Sequence, residues 1–265
     1  MAQQENLTKK IGDNYNDIGV TYHYQKNYEA ATQNYLQAVR LREQSKHKKG
    51  LLISYNNLGV LYKLNKDTSR ALAFYTKGKL LAEEVLDSAR MVTFNINLGR
   101  LHHNVNQAIP YFKKALFIAT QINDSQRITI CHFNLGEAYQ KLEKYDEAIQ
   151  EFELCIQQFK AQGDEKYHIG TLYELGKTYT LLGQTEKGLQ NMLEAEALAS
   201  NTDMVFVDEL SNIANAYFDI NQPTLAYNYL KKHGALKDSL ESIKIKDRIS
   251  AVSYTHLTLP TTPYV

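Results

Sequence analysis

Tryptophan is absent from this chain, and cysteine occurs only twice. Two cysteines are too few for a disulfide framework. Cys131 and Cys155 are expected to be buried thiols, since both fall at apolar helix positions. Proline occurs four times, and two of the four lie in the last stretch, 252–265. Neither charge dominates: 30 basic residues stand against 29 acidic ones, for a net charge of +1. That balance gives no electrostatic support for a nucleic-acid partner. No run of 18 apolar residues occurs, so no segment here is expected to span a membrane. Met1–Lys10 is polar and lacks the apolar stretch of a secretory signal, but the sequence does not fix the compartment. Phosphate-binding glycine loops, nucleophile elbows and His-Glu-x-x-His metal motifs are missing, so no catalytic, cofactor or metal site is expected. His102-His103 and Cys131-His132 read as packing residues.

What the chain does contain is 43% hydrophobic residues, nineteen tyrosines and a repeat. In Tyr55-Asn56-Asn57-Leu58-Gly59-Val60-Leu61-Tyr62, residues 55, 58, 59 and 62 share one face of a helix. A small residue after an apolar one, with an aromatic or His three residues later, recurs at Gly19, Gly59, Gly99, Gly136, Gly176 and Ala214. The steps are 40, 40, 37, 40 and 38 residues. Such a period means a repeat architecture. Glycine inside a helix costs about 0.5–1 kcal/mol relative to alanine. Its return at five anchors predicts that a second helix crosses there with no room for a Cβ. That second helix carries a small-large-small face: Ala71, Tyr75 and Gly78 in the second copy, Ala31, Tyr35 and Ala38 in the first.

These residues resemble the tetratricopeptide repeat. The pattern runs from Ile18-Gly19-Val20-Thr21-Tyr22 to Ile213-Ala214-Asn215-Ala216-Tyr217, with Ala108, Phe112 and Ala115, Ala148, Phe152 and Cys155, and Gly188, Met192 and Ala195 on the intervening second helices. The resemblance implies an all-α fold, a right-handed superhelical solenoid of about six helix-turn-helix repeats. Expected repeats lie near 12–51, 52–91, 92–128, 129–168, 169–206 and 207–240. A charged amphipathic helix is expected over 234–251. The period exceeds the usual value of about 34 residues, and the family's proline near the end of the second helix is missing. Second helices about a turn longer than usual are therefore expected. The three residues missing from the third copy are expected to come out of its interhelical turn, at His103–Asn106. Polar stretches such as Arg42–Gly50 read as solvated joints between repeats.

Residues 252–265 hold no Lys, Arg, Asp or Glu and fit neither the repeat nor the preceding helix. They resemble the peptide obtained by translating sequencing-adaptor DNA, so an artefactual tail is expected, with the natural frame continuing beyond 251.

Stacked helix pairs of this family present a concave groove lined by the first helices, which implies a protein or peptide ligand. The residue two before each anchor lies near that face in the family. Here those positions include Asn57, Asn97, Asn134 and Asn212. An amide offers a donor and an acceptor to a peptide backbone; it equally suits holding adjacent helices together, and both readings stand. Arg100 and Lys177, just after their anchors, could meet a ligand carboxylate, although the paired Lys and Asn clamp of chaperone-binding members is not matched. The long period and the charged last helix resemble the repeat regions of bacterial sensor histidine kinases and regulators. The expected function is thus a non-enzymatic sensory or interaction region of a signalling protein, with a free-standing adaptor as the alternative.

Overall fold

The computed structural model describes residues 2–162, 165–200 and 207–257. Those residues form twelve α-helices and no strand. In order they are α1 (Ala2–Tyr24), α2 (Tyr28–Gln44), α3 (Lys48–Leu64), α4 (Thr68–Glu84), α5 (Ser88–Leu101), α6 (Val105–Gln121), α7 (Ser125–Lys141), α8 (Tyr145–Gln162), α9 (Glu165–Leu181), α10 (Thr185–Ser200), α11 (Val207–Asp219) and α12 (Pro223–Leu257).

One turn design separates most of these helices. The residue before the next helix caps it: the side chains of Asn27, Asp67, Asp87 and Asp124 accept the backbone N–H three residues on. That satisfies one of the orphan donors at each helix start. The residue before the cap takes a left-handed backbone, as at Lys26 (φ 59°), Lys66 (φ 59°), Leu86 (φ 56°) and Asn123 (φ 51°). The capping residue then donates its own N–H back to the finished helix, Asp67 to the Tyr62 carbonyl at 2.8 Å and Asp87 to that of Ala82 at 2.9 Å. This closes the helix end in a Schellman motif. The turn is the same inside a hairpin and between hairpins. Two 17-residue helices with two three-residue turns fill the 40-residue step.

The extra length is therefore shared by first and second helices, rather than placed in the second alone. The polar stretch Arg42–Gly50 is not a long joint. Only residues 45–47 leave the helices there, because Arg, Glu, Gln and Lys are good helix formers whose polarity marks an exposed helix face. For the same reason the hairpins start about one turn earlier than expected, at Lys48, Ser88, Ser125 and Glu165.

The chain divides into two compact units, Met1–Gln158 and Phe159–Val265. In the first, each helix from α1 to α7 packs on its sequence neighbours within that run, and α1 on α3, α3 on α5 and α5 on α7. Tyr35, Tyr75, Phe94 and Phe152 fill its interior as fully buried rings. The anchors explain their glycines: a Cβ on Gly19, Gly59, Gly99 or Gly136 would sit 2.2–2.6 Å from the ring of Tyr35, Tyr75, Phe112 or Phe152 on the crossing helix. Gly78 is the counterpart between hairpins. Its missing Cβ makes room for Phe94, which would lie 2.1 Å away. In the second unit α9 packs on α10, α10 on α11 and α11 on α12 around Ile169, Tyr173, Met192 and Ile213. There Gly176 faces the Gly188 carbonyl and Met192, so two small residues let the helices meet backbone to backbone.

Two further differences carry weight. The third copy keeps a three-residue turn, His102–Asn104; its missing residues come out of α5, which has 14 residues and ends at Leu101. This turn has its own geometry: His102 is extended (φ −74°, ψ 120°) and Asn104 caps α6 through the Asn106 N–H. At the other end, the expected separate helix over 234–251 is the continuation of α12. That helix runs on to Leu257, into the segment set apart by composition. Nothing in Val252–Leu257 breaks a helix before Pro260. Residues 258–265 lie outside the described residues.

Candidate functional site: the first-helix face of the first unit

Asparagines recur along the first helices because each repeat offers the same exposed edge beside its anchor. The structure engages them with one another. Asn57 on α3 donates its amide to Asn16 Oδ1 on α1 at 3.2 Å, and Asn97 on α5 donates to Asn56 Oδ1 on α3 at 2.9 Å. Asn134 on α7 is buried; it donates to the Ile130 carbonyl and accepts Arg100 Nε from α5 at 2.7 Å. One polar rung thus joins each consecutive pair from α1 through α3 and α5 to α7. Of the two readings left open by the sequence, the geometry realises the brace. Asn57 and Asn97 are half-buried, and their own Oδ1 atoms take no donor from the described residues. Their partners Asn16 and Asn56 sit three before an anchor, a register the sequence reading passed over.

Lys177 and Asn212 lie in the second unit, on α9 and α11. Lys177 reaches Glu174 on its own helix at 3.5 Å, and Asn212 is half-buried.

The early end of α5 opens a pocket of about 370 Å³. Whereas α3 and α7 run to the fifth residue past their anchors, α5 stops at the second. Into the gap come Lys63 from α3, Arg100 and His102 at the end of α5, and Asn134, Glu137 and Lys141 from α7, over a floor of Ala108, Phe112 and Phe133. Three cationic side chains, Lys63, Arg100 and Lys141, thus share this lining with one carboxylate, that of Glu137. Partial burial, and then the charge of Arg100, pull the Lys63 ammonium below its ordinary value. An anion in this pocket would relieve that repulsion. His102 stacks on Tyr111 with centroids 5.1 Å apart, and its buried Nε2 has no protein partner. Lys63 and Lys141 were missed because their signal is comparative: both stand at the helix ends that outrun α5.

A second polar cluster is structural. Arg42 on α2 is 2% exposed and donates to Asp13 on α1 at 2.7 Å, to the Gly50 carbonyl at 2.9 Å and to Ser54 Oγ on α3 at 2.6 Å. It ties three helices together. Cys131 and Cys155 are free, buried thiols, and burial pushes the Cys131 thiol up to about 12. His132 contacts Glu151 at 2.6 Å. Among the described residues no group of three or more His, Cys, Asp or Glu side chains is placed to hold a metal, and no helix is long and apolar enough to cross a membrane.

Paired helices with equal turns, small anchors under aromatic rings and a polar seam along the first helices define an all-α repeat scaffold. The chain belongs to the tetratricopeptide repeat family, whose profile matches residues 11–79 and 127–201. Repeats of this kind serve as scaffolds for protein–protein interaction. No curated protein matches the sequence. Among solved structures, BtubC (BKLC) from P. vanneervenii is similar over 91% of this chain and 95% of its own, at 14% identity and a TM-score of 0.71. A Signal Transduction ATPase with Numerous Domains (STAND) protein with a tetratricopeptide repeat sensor, from Pyrococcus horikoshii, aligns with 92% of this chain at 16% identity and a TM-score of 0.76; the match spans 39% of that protein. Aspartyl phosphate phosphatase F from Bacillus subtilis aligns with 86% of this chain and 60% of its own, at 19% identity and a TM-score of 0.66. Identities this low establish a common fold.

Proposed function

We propose that this chain is a protein-binding scaffold whose first unit takes an acidic peptide segment along its first helices, with the pocket at the end of α5 as the anchoring point. The observation that carries this reading is the convergence there of three cationic side chains, Lys63, Arg100 and Lys141, on a pocket whose lining holds the single carboxylate of Glu137. The Oδ1 atoms of Asn57 and Asn97 can take backbone N–H groups of an extended ligand while their amides keep the braces in place. In this reading Arg100 and Asn134 hold the ligand carboxylate, and Lys177 and Asn212 serve the second unit's first helices in the same manner.

We further propose that the scaffold is the sensory or interaction region of a larger bacterial signal-transduction protein, a histidine kinase or a transcriptional regulator. The tetratricopeptide sensor of the similar STAND protein supports this, as one part of a longer chain. A free-standing adaptor is the second reading, favoured by the match to BtubC over nearly all of that protein's length. Resequencing the coding region across Lys244–Val265 separates the two.

The binding site is tested by an array of short peptides rich in Asp and Glu, matched to the same peptides with Asn and Gln. Acidic peptides should bind, and Arg100→Glu and Lys141→Glu should each weaken binding at least about tenfold, roughly 1.4 kcal/mol. Lys113→Glu, exposed on α6, serves as control. Equal binding of acidic and amide peptides would refute the site.

A further inference from the structure

The outer side of α1 is apolar and bare. Leu7, Ile11, Tyr15 and Ile18 follow one another at spacings of four, four and three, so they form one stripe along the helix. Their exposures are 52%, 39%, 36% and 44%. The adjoining side of α1, about 100° round the helix, is taken up by α2 and α3, where Gly12, Asn16 and Gly19 are buried. One 40-residue step further on, the equivalents of Ile11, Tyr15 and Ile18 are Leu51, Tyr55 and Leu58, and all three are buried between neighbouring helices. The stripe on α1 therefore has the chemistry of a covered face, and no described residue covers it.

We propose that this face takes a second copy of the chain, through an antiparallel pair of α1 helices. The charges beside the stripe select that occupant and that direction. Lys9 and Lys10 are exposed on the first half of the helix, and Asp17 is exposed on the second half; Asp13 is already engaged by Arg42. A two-fold axis near residue 13 sets Leu7 against Ile18 of the other copy, Ile11 against Tyr15, and Lys10 against Asp17. A parallel pair would instead turn Lys10 and Asp17 toward the other helix's opposite flank, that of Gly12, Asn16 and Gly19, and would form neither ion pair. One patch facing itself across a two-fold axis is an isologous contact, which closes at two subunits.

The contact is short. Leu7 to Ile18 covers about three turns, or roughly 17 Å of helix, which places it at the small end of specific interfaces. The dimer should accordingly form at micromolar concentrations and dissociate on dilution.

The test is sedimentation velocity of the full chain over a concentration series. A monomer–dimer equilibrium is expected. Ile11→Glu should leave monomer at every concentration. Lys10→Asp and Asp17→Lys should each weaken the dimer at least tenfold. The double variant, which restores opposite charges across the axis, should regain affinity to within about threefold of the parent. Asn14→Cys, near the axis, should form an intersubunit disulfide on oxidation, the two native thiols being buried. These positions are exposed, so each variant should stay helical, which circular dichroism checks. The proposal is overturned by a parent that remains monomeric, by association that survives Ile11→Glu, by growth beyond the dimer, or by a double variant no better than its singles. Growth beyond the dimer would indicate head-to-tail stacking of a different helix on α1.

Discussion

Adding one methyl group at Gly59 should destabilise the first unit, while the same methyl at Gly170 should stabilise the second. Both glycines are helical, so both substitutions gain the same intrinsic preference, about 0.5–1 kcal/mol for alanine over glycine. Their surroundings set the sign. A Cβ on Gly170 meets nothing within 4 Å. A Cβ on Gly59 would lie 2.2 Å from Tyr75 Cε1, 2.5 Å from Cδ1 and 2.8 Å from Cζ. Ordinary van der Waals contact begins near 3.4 Å, so helix or ring must shift by more than an ångström. Tyr75 cannot swing aside: it is 1% exposed and packs against Phe94 at 6.5 Å between centroids. Overpacking of this kind costs about 1–3 kcal/mol or more. Subtracting the helix gain leaves Gly59→Ala destabilised by about 1–2 kcal/mol, against about 0.5 kcal/mol of stabilisation at Gly170. Because long repeat arrays can depart from two-state unfolding, hydrogen exchange measured helix by helix is the suitable assay. Protection in α3 and α4 should fall in Gly59→Ala, and protection in α9 should rise in Gly170→Ala. If Gly59→Ala raised protection in α3 as well, the anchor glycines would owe nothing to ring packing.

Arg42→Met should cost about 2–3 kcal/mol in chemical denaturation, because Ser54 and the Gly50 carbonyl lose a buried donor while Asp13 keeps its contact with water. Replacing Asn57 and Asn97 together by Ala should lower stability by about 1 kcal/mol per lost rung; unchanged melting would show that the rungs contribute nothing. The caps give an acid limb. Asp67 is held below the usual carboxylate range by the Arg70 N–H and side chain, and at Asp124 the Arg127 bonds and charge outweigh the upward push of burial. Carboxylates lowered in the fold stabilise it fully above their unfolded value of about 4 and lose that contribution as pH falls through the folded values. Asp67→Asn and Asp124→Asn together should therefore flatten the loss of stability below about pH 4, read from thermal melts. Cys131 and Cys155 should not react with a thiol reagent at pH 8 until the chain is unfolded, since burial keeps both protonated.

The repeat was legible because its grammar is local. Glycine inside a helix carries a cost, so its recurrence every 40 residues announced a close crossing, and the face made by Ala71, Tyr75 and Gly78 announced what crossed. That much followed from periodicity, while the all-α superhelical class came from the resemblance to the tetratricopeptide repeat. The turns were silent for a chemical reason: Lys26, Lys66 and Leu86 adopt left-handed backbones without being glycine or asparagine, and helix formers such as Lys48 and Lys49 hid the helix start in a polar stretch. The loss of three residues in the third copy was visible, but sequence spacing cannot say whether a turn or a helix gives them up. Packing decided that α5 gives them up, and the pocket beside Arg100 exists for that reason. Asn57 and Asn97 were visible too, but a partner 41 residues away is set by how first helices stack. The sequence by itself determined which faces are small, large or polar. Only the tertiary structure decided which of those faces are spent on neighbours and which are left open, because that depends on distances between helices that no single helix encodes.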